Sequence, residues 1–240
     1  MTTQTARVTS TRLLLVRHGE AQGNRELRYL GVTDPPLTAT GEEQARRLAE
    51  ALRGAPLRAL YSSPLLRART TAEALALARV AANDDAPPLA PQVEVGLREQ
   101  DYGVWEGLTF AEARALTPQA HDEWERGAVD EPPDGESLAR LRERSVACAT
   151  ALAQRHRGEV IALVSHVGPI KALVCAALGL PTQAARRMWL NPASVCIIDW
   201  RLPAAPAAGD VDPPGPSDVA GVLRLFNGGP DLATLAQALR

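Results

Sequence analysis

The feature that most constrains this chain is a repeated pattern: a short apolar run, a turn bearing histidine, arginine, glutamate or serine, then a helical stretch. Leu13–Val16, Leu57–Tyr61 and Val160–Val164 are such runs, and Val93–Leu97 is a shorter strand candidate. Uninterrupted aliphatic residues suit strands that are covered on both faces. Between them the spacing changes to that of a helix. Ala45, Leu48, Ala49 and Leu52 share one face over about 42–53, with Thr38 or Thr40 as N-cap. Ser63 and Pro64 read as the N-cap and first position of a second helix. Thr109 and Glu112 have capping-box spacing, a long helix covers about 136–155, and Pro169 opens another to about Leu178. Strands alternating with helices predict an α/β domain.

Residues 1–11 read as a flexible tail and 12–240 as a single domain. The Pro, Gly, Ala and Asp-rich segment 203–219 reads as an irregular surface loop between Val195–Leu202 and Val222–Phe226, which would form an antiparallel pair. A chain of 240 residues with 45% apolar and 22% charged side chains can build a substantial core without staples. A net charge of −2 argues against nucleic acid or an anionic membrane as a general partner. Cys148, Cys175 and Cys196 are odd in number and sit in apolar company, which favours buried thiols in a reducing compartment. The N-terminus lacks the apolar stretch of a secretory signal, and the runs 160–164 and 172–180 are too short to span a bilayer. The expectation is a cytoplasmic protein.

The residues just past each strand carry the chemistry. Leu13–Val16 leads into Arg17-His18-Gly19-Glu20, Leu57–Tyr61 into Ser62-Ser63-Pro64 with Arg67 a turn later, Val93–Leu97 into Arg98-Glu99, and Val160–Val164 into Ser165-His166. Ligands of open α/β sheets bind outside the carboxyl ends of the strands, so parallel neighbours would gather these groups at one rim. Arg17 and Arg67 could each fork two N–H groups onto a phosphomonoester, and the helix start beneath Arg67 would add to anion binding. His18 is the nucleophile candidate, because a neutral imidazole attacks phosphorus and then leaves when water attacks. Gly19 would let the backbone come close to a ligand. His166 would contact the equatorial oxygens, and Glu99 would protonate the leaving alcohol, a role that calls for a raised pKa. No metal or cofactor is required, since the arginines supply the positive charge. The bland readings are a solvated Glu99, a surface Arg67 and a hydrogen-bonded His166. His121 and His156 read as exposed, and Trp105, Trp124, Trp189 and Trp200 as core or lid packing.

LLLVRHGEAQGN at 13–24 resembles the signature of the histidine phosphatase superfamily, which includes cofactor-dependent phosphoglycerate mutases. PLTATGEEQARRLAEAL, LYSSPLLRARTTAEAL, LREQDYGVWEGLTFAEA, PPDGES and ALVSHVGPIKALV match further family segments in order, over about residues 12 to 202. The resemblance implies a three-layer α/β/α sandwich with a mostly parallel central sheet. It implies a phosphate pocket of Arg17, His18, Arg67 and His166, with His18 phosphorylated, Glu99 as proton donor and Asn24 as a further phosphate ligand. Ala21 and Leu30 depart from the polar residues many members carry at those places.

LREQDYGVWEG and the short interval between Glu99 and His166 resemble the phosphatases rather than the mutases of the family. SHVGPIKAL is similar to broad acid phosphatases, including those fused to ribonuclease H domains, and to α-ribazole phosphatases. No ribonuclease H portion lies within these 240 residues. Residues 117–135 are read as a lid, with Trp124 and the facing Arg25, Arg28 and Tyr29 as substrate contacts. Asp122, Glu123, Glu125, Asp130 and Glu131 would disfavour a second phosphate there. The expected partner is a small phosphomonoester, the alternatives being a mutase or a non-catalytic phospho-ligand module. Oligomeric state stays open, a homodimer included, and residues 232–240 could pack on their own domain or on a partner.

Overall fold

The computed structural model describes residues 9–80, 89–202 and 221–239. Strands β1 (Thr9–Arg17), β2 (Leu57–Ser62), β3 (Gln92–Val93), β4 (Val160–Ser165), β5 (Val195–Leu202) and β6 (Gly221–Gly228) form one sheet in the order β3-β2-β4-β1-β5-β6. The pairs β1/β4, β2/β4 and β2/β3 are parallel; β5 is antiparallel to both β1 and β6. The sheet is thus mostly parallel, and the expected pair β5/β6 forms. The helices are α1 (Ala39–Ala51), α2 (Leu66–Val80), α3 (Phe110–Leu116), α4 (Pro118–Arg126), α5 (Leu138–Arg155), α6 (Val167–Ala177) and α7 (Leu232–Leu239).

Period-two alternation along β1 divides the core into two layers. Leu13 and Leu15 pack with α5 and α6 residues such as Val146, Leu152, Ile170 and Leu173. Leu14 and Val16 pack on the other face with Leu48, Ala49, Ala68, Ala72 and Leu235 of α1, α2 and α7. This is the expected three-layer sandwich. The terminal helix α7 settles on its own core through Leu235.

Several boundaries move for physical reasons. Strand β1 begins at Thr9, inside the stretch expected to be a loose tail, because it pairs with β5 out to Thr9↔Leu202. Residues 1–8 and the loop expected at 203–219 lie outside the described residues. Val93–Leu97 is not a strand: after the two-residue β3 the chain turns through a 3₁₀ segment, Val95–Leu97, and Leu97 is buried. Helix α2 starts at Leu66 rather than Pro64; Asp34 Oδ1 accepts the Leu66 N–H at 2.7 Å. Thr38 caps α1, Thr109 and Glu112 form the capping box of α3, and Ser137 caps α5.

Candidate active site

The ends of β1, β2 and β4 are neighbours, so Arg17-His18, Ser63 and Ser165-His166 meet at one rim. The backbone pins them: His18 N–H donates to Ser165 O at 3.1 Å and Ser63 N–H to Val164 O at 2.9 Å. His18 Nδ1 lies 2.6 Å from the carbonyl oxygen of Gly19, a contact that requires the proton on Nδ1. In the neutral ring Nε2 therefore carries the lone pair. Burial, with the charges of Arg67 and Arg17, pushes the His18 pKa well below its usual value, so the ring is neutral near pH 7.

His166 lies edge-on to His18, ring centroids 5.0 Å apart. Its Nε2 is 2.7 Å from Ser63 Oγ, while Nδ1 is buried and unpartnered among the described residues. Ser63, read from sequence as a helix cap, is thus a partner of this histidine. Burial, reinforced by Arg67, holds His166 neutral as well.

Glu99 follows the 3₁₀ turn and is buried. Its Oε1 accepts the N–H of Gln100 at 2.8 Å and of Gly168 at 3.0 Å. Burial raises its pKa despite those bonds and the Arg67 charge. A Cβ at Gly168 would stand 2.3 Å from Glu99 Oε1, so any other residue there would displace the Glu99 carboxyl. Behind it, Arg144 donates to the carbonyls of Gly96, Arg98 and Glu99 at 3.0, 2.8 and 2.9 Å, and forks onto Glu136 at 2.6 and 2.7 Å. Arg144 and Gly168 are the supports that sequence reasoning missed; nothing local in α5 marks Arg144 apart from other helix arginines.

Two of these residues also have structural partners. Gly19 is needed for packing: a Cβ there would meet the carbonyl oxygen of Gly41 in α1 at 2.3 Å. Arg67 is wholly buried and bonds the carbonyls of Thr33, Leu30 and Gly31 at 2.8, 3.0 and 2.9 Å, so its fork clamps the 30–33 loop and only Nε lacks a partner. Arg17 donates to Leu190 O, keeps a buried unpartnered Nε, and has its pKa lowered to about 10 by burial.

A cavity of about 810 Å³ opens over this floor, lined among others by Arg17, His18, Asn24, Arg28, Glu99 and Trp124. Arg67 and His166 are buried and are not among its lining residues, His166 lying edge-on to His18, which is. Asn24 Oδ1 accepts the Ala21 N–H at 2.8 Å, which leaves its amide donors for a ligand. The roof is a separate cluster of Tyr29, Trp105, Trp124, Leu138 and Leu141, to which α4 contributes. Tyr29 OH pairs with His121 Nε2 at 3.1 Å, and His121 is buried, contrary to expectation, because α4 turns His121 and Trp124 to the same inward side. His156 is half-buried, between Tyr61 OH at 2.9 Å and Glu159 at 2.7 Å. Trp105 and Trp200 are core, whereas Trp189 is exposed at the cavity rim.

The acidic residues of 117–135 do not face the pocket as a group. Glu123, Asp130 and Glu131 line a different cavity, and Arg114 bridges Asp122 and Glu125 at 2.8 and 3.0 Å. His121, Asp122 and Glu125 bring potential metal-ligand atoms within 4.8 Å of one another, but Arg114 already occupies both carboxylates. Cys175 and Cys196 are buried and Cys148 half-buried, all unpaired. Among the described residues no helix is long and apolar enough to cross a membrane.

This fold, with two histidines and an arginine at adjacent strand ends, defines a class, and the sequence agrees. The family model of the histidine phosphatase superfamily (branch 1) matches residues 13–203, and the chain belongs to that family. It is 38% identical over 200 residues to "Bifunctional protein Rv2228c" of Mycobacterium tuberculosis, covering 81% of this chain and 52% of that protein, so it spans about half the length of that relative. It is 37% identical over 209 residues to "Probable phosphoglycerate mutase GpmB" of Citrobacter koseri, covering 82% and 92%. Among solved structures, a mycobacterial glucosyl-3-phosphoglycerate phosphatase, Rv2419c, complexed with VO3, superposes with a TM-score of 0.76 at 28% identity, covering 91% of this chain and 99% of that one.

Proposed function

We propose that this chain is a metal-independent phosphomonoester hydrolase acting through a phosphohistidine on His18. The observation that carries the reading is the bond from His18 Nδ1–H to Gly19 O, which leaves the Nε2 lone pair on a neutral, buried imidazole beside Arg17. In the first step Nε2 attacks phosphorus, the ester P–O bond breaks, and Glu99 gives its proton to the leaving alkoxide. In the second, water attacks phosphorus, its proton goes to Glu99, and the P–Nε2 bond breaks, releasing phosphate. The raised pKa of Glu99 suits both halves. Arg17, the Nε of Arg67, Asn24 and His166 hold the phosphoryl oxygens as charge develops. Trp124 and Arg28 contact the alcohol portion. The unpaired cysteines support a cytoplasmic workplace.

Hydrolysis of p-nitrophenyl phosphate in EDTA, wild type beside His18→Ala, tests this. Turnover lost only in the variant supports it; turnover that survives in His18→Ala rejects it. The mutase-named relative favours a second reading, phosphoryl return from His18 to a sugar-acid hydroxyl. Isomerisation of phosphoglycerate that depends on added 2,3-bisphosphoglycerate would select that reading.

A further inference from the structure

Arg67 carries a charge that is wholly buried, yet among the described residues its closest carboxylate contact is the long one to Asp34 at 3.7 Å. Its terminal nitrogens instead take the carbonyls of Leu30, Gly31 and Thr33. The opposite side of the same loop is held by one side chain. Glu106 Oε2 accepts the N–H of Gly31 at 3.2 Å, the N–H of Thr33 at 3.0 Å and the Thr33 hydroxyl at 2.5 Å. Its Oε1 accepts the N–H of Val32 at 3.0 Å. Oε1 also takes the N–H of Tyr102 at 2.9 Å, which ties the loop to the 3₁₀ segment Gly103–Trp105 just before Glu106.

The two sets of bonds meet within single peptide groups. In the unit joining Leu30 to Gly31 the C=O bonds Arg67 and the N–H bonds Glu106, and the unit joining Gly31 to Val32 does the same. These peptides are trans, so the two ends of each unit point in opposite directions. Two peptide dipoles are thereby lined up between a carboxylate and a guanidinium, and each hydrogen bond polarises the next. Burial lowers the Arg67 pKa, and the charges of Glu99, Asp34 and Glu106 act against it in that order. A Cβ at Gly31 would meet Glu106 Oε1 at 2.1 Å and the Gln100 carbonyl oxygen at 2.2 Å, so the close approach depends on glycine. Among the described residues the N–H groups of 31–33 have no backbone acceptor, and Glu106 alone satisfies them.

With both terminal nitrogens held, the plane of the Arg67 guanidinium is fixed, and its buried Nε is the nitrogen left without a partner. We propose that Glu106 is a positioning residue for phosphoryl binding, acting through the peptide units 30–31 and 31–32 to hold Arg67 with its Nε toward the phosphoryl group. The inference rests on the phosphatase reading above, in which that Nε–H donates to a phosphoryl oxygen. Glu106 itself touches no substrate: it lies across the loop from the guanidinium and is not among the residues lining the cavity. Removing the carboxylate frees three N–H groups, and the carbonyls that hold Arg67 are released with them.

The test is a double-mutant cycle read in vanadate affinity, with kcat and KM for p-nitrophenyl phosphate, at a temperature well below the Tm of every variant. Glu106→Gln, which loses the charge and one acceptor oxygen, is expected to weaken vanadate binding about tenfold and to lower kcat. Glu106→Asp keeps the charge, should fall between, and carries the test if the glutamine variant does not fold. Arg67→Lys keeps the charge but has no Nε–H, and should weaken binding at least as much. Adding Glu106→Gln to Arg67→Lys should then cost less than about twofold more, because the route through Nε is already gone. Effects that multiply would show that Glu106 acts independently of Arg67 and overturn the proposal. A lowered Tm with vanadate affinity and kcat unchanged reduces Glu106 to a structural residue and overturns it too. If Arg67→Lys binds vanadate as wild type does, the Nε has no such role and the proposal fails, while the phosphatase reading still stands on His18. Turnover that survives in His18→Ala rejects that reading itself.

Discussion

The floor and the roof of the cavity are built differently. Arg17, His18, Ser63 and His166 stand at the ends of three adjacent strands, fixed by ladder bonds that open only when the sheet does. Tyr29, Trp105 and Trp124 come from loops and short helices and pack in a satellite cluster, with His121 against Tyr29 and Trp105, and Tyr29 also exchanges backbone bonds with Leu108 and Gly107 at 2.8 and 2.9 Å. Precise geometry is easiest to maintain on the sheet, and variation is best tolerated on connecting segments and short helices. On the proposed reading, the reaction belongs to the floor and the choice of substrate to the roof.

The sharpest way to break that division is to damage the floor and ask whether binding survives. His18→Ala should reduce turnover of p-nitrophenyl phosphate by about a thousandfold or more, since it removes the proposed nucleophile, while a vanadate or phosphate titration still shows binding. Glu99→Gln should slow alkyl phosphates by about a hundredfold and p-nitrophenyl phosphate far less, because nitrophenolate barely needs an acid. Equal losses for the two leaving groups would remove Glu99 from the proposed role.

The same division explains what was legible in the sequence. Arg17, His18, Glu99 and His166 come directly after apolar runs, so a one-dimensional pattern places them at one rim. The three layers were legible because β1 alternates its apolar contacts between two helical faces. The turn before Glu99 was not, since Val93–Leu97 has strand composition but lies at the sheet edge, where only Gln92 and Val93 pair with β2 and Val95–Leu97 forms a 3₁₀ turn. The burial of His121 depends on Tyr29, a residue 92 positions away. The bonds from Arg67 to the carbonyls of Leu30, Gly31 and Thr33 were not legible, because those residues lie 34 to 37 positions away in sequence.

Arg144 is a positioning residue that spans the two regions, holding the Glu99 turn through backbone carbonyls and Glu136 through a fork. Arg144→Met should destabilise by about 3–5 kcal/mol in chemical denaturation, because Glu136 is left buried with only the long Arg98 contact of 3.9 Å. Adding Glu136→Gln should recover part of that loss. Loss of stability alone would leave the pH–rate profile in place; a displaced Glu99 should lower kcat more than KM changes and shift the alkaline limb. An unshifted limb would confine Arg144 to stability. On the roof, Trp124→Leu should raise KM up to about tenfold and reorder an ester panel while His18 still phosphorylates. An unchanged ranking would deny the roof its part in selection.

The smallest effect is in stability against pH, and it separates groups within the floor. His18 and His166 have folded pKa values depressed below the ordinary 6.5. Their contribution is present above pH 6.5 and lost as pH falls toward the folded values, because the unfolded chain binds the protons first. Glu99 has a raised value, so its contribution is present below the ordinary 4.5 and lost as pH rises through the folded pKa. Between those two reference values the trends oppose, and each histidine can supply at most about 1.4 kcal/mol per pH unit. Glu99→Gln removes one side of the opposition. Its Tm should fall more steeply than wild type as pH drops from 6.5 to 4.5, and the variant should be relatively more stable at pH 7 than at pH 5. Parallel Tm curves for the two proteins would mean that Glu99 does not titrate differently in the folded chain, and would take the proton donor out of the proposed mechanism.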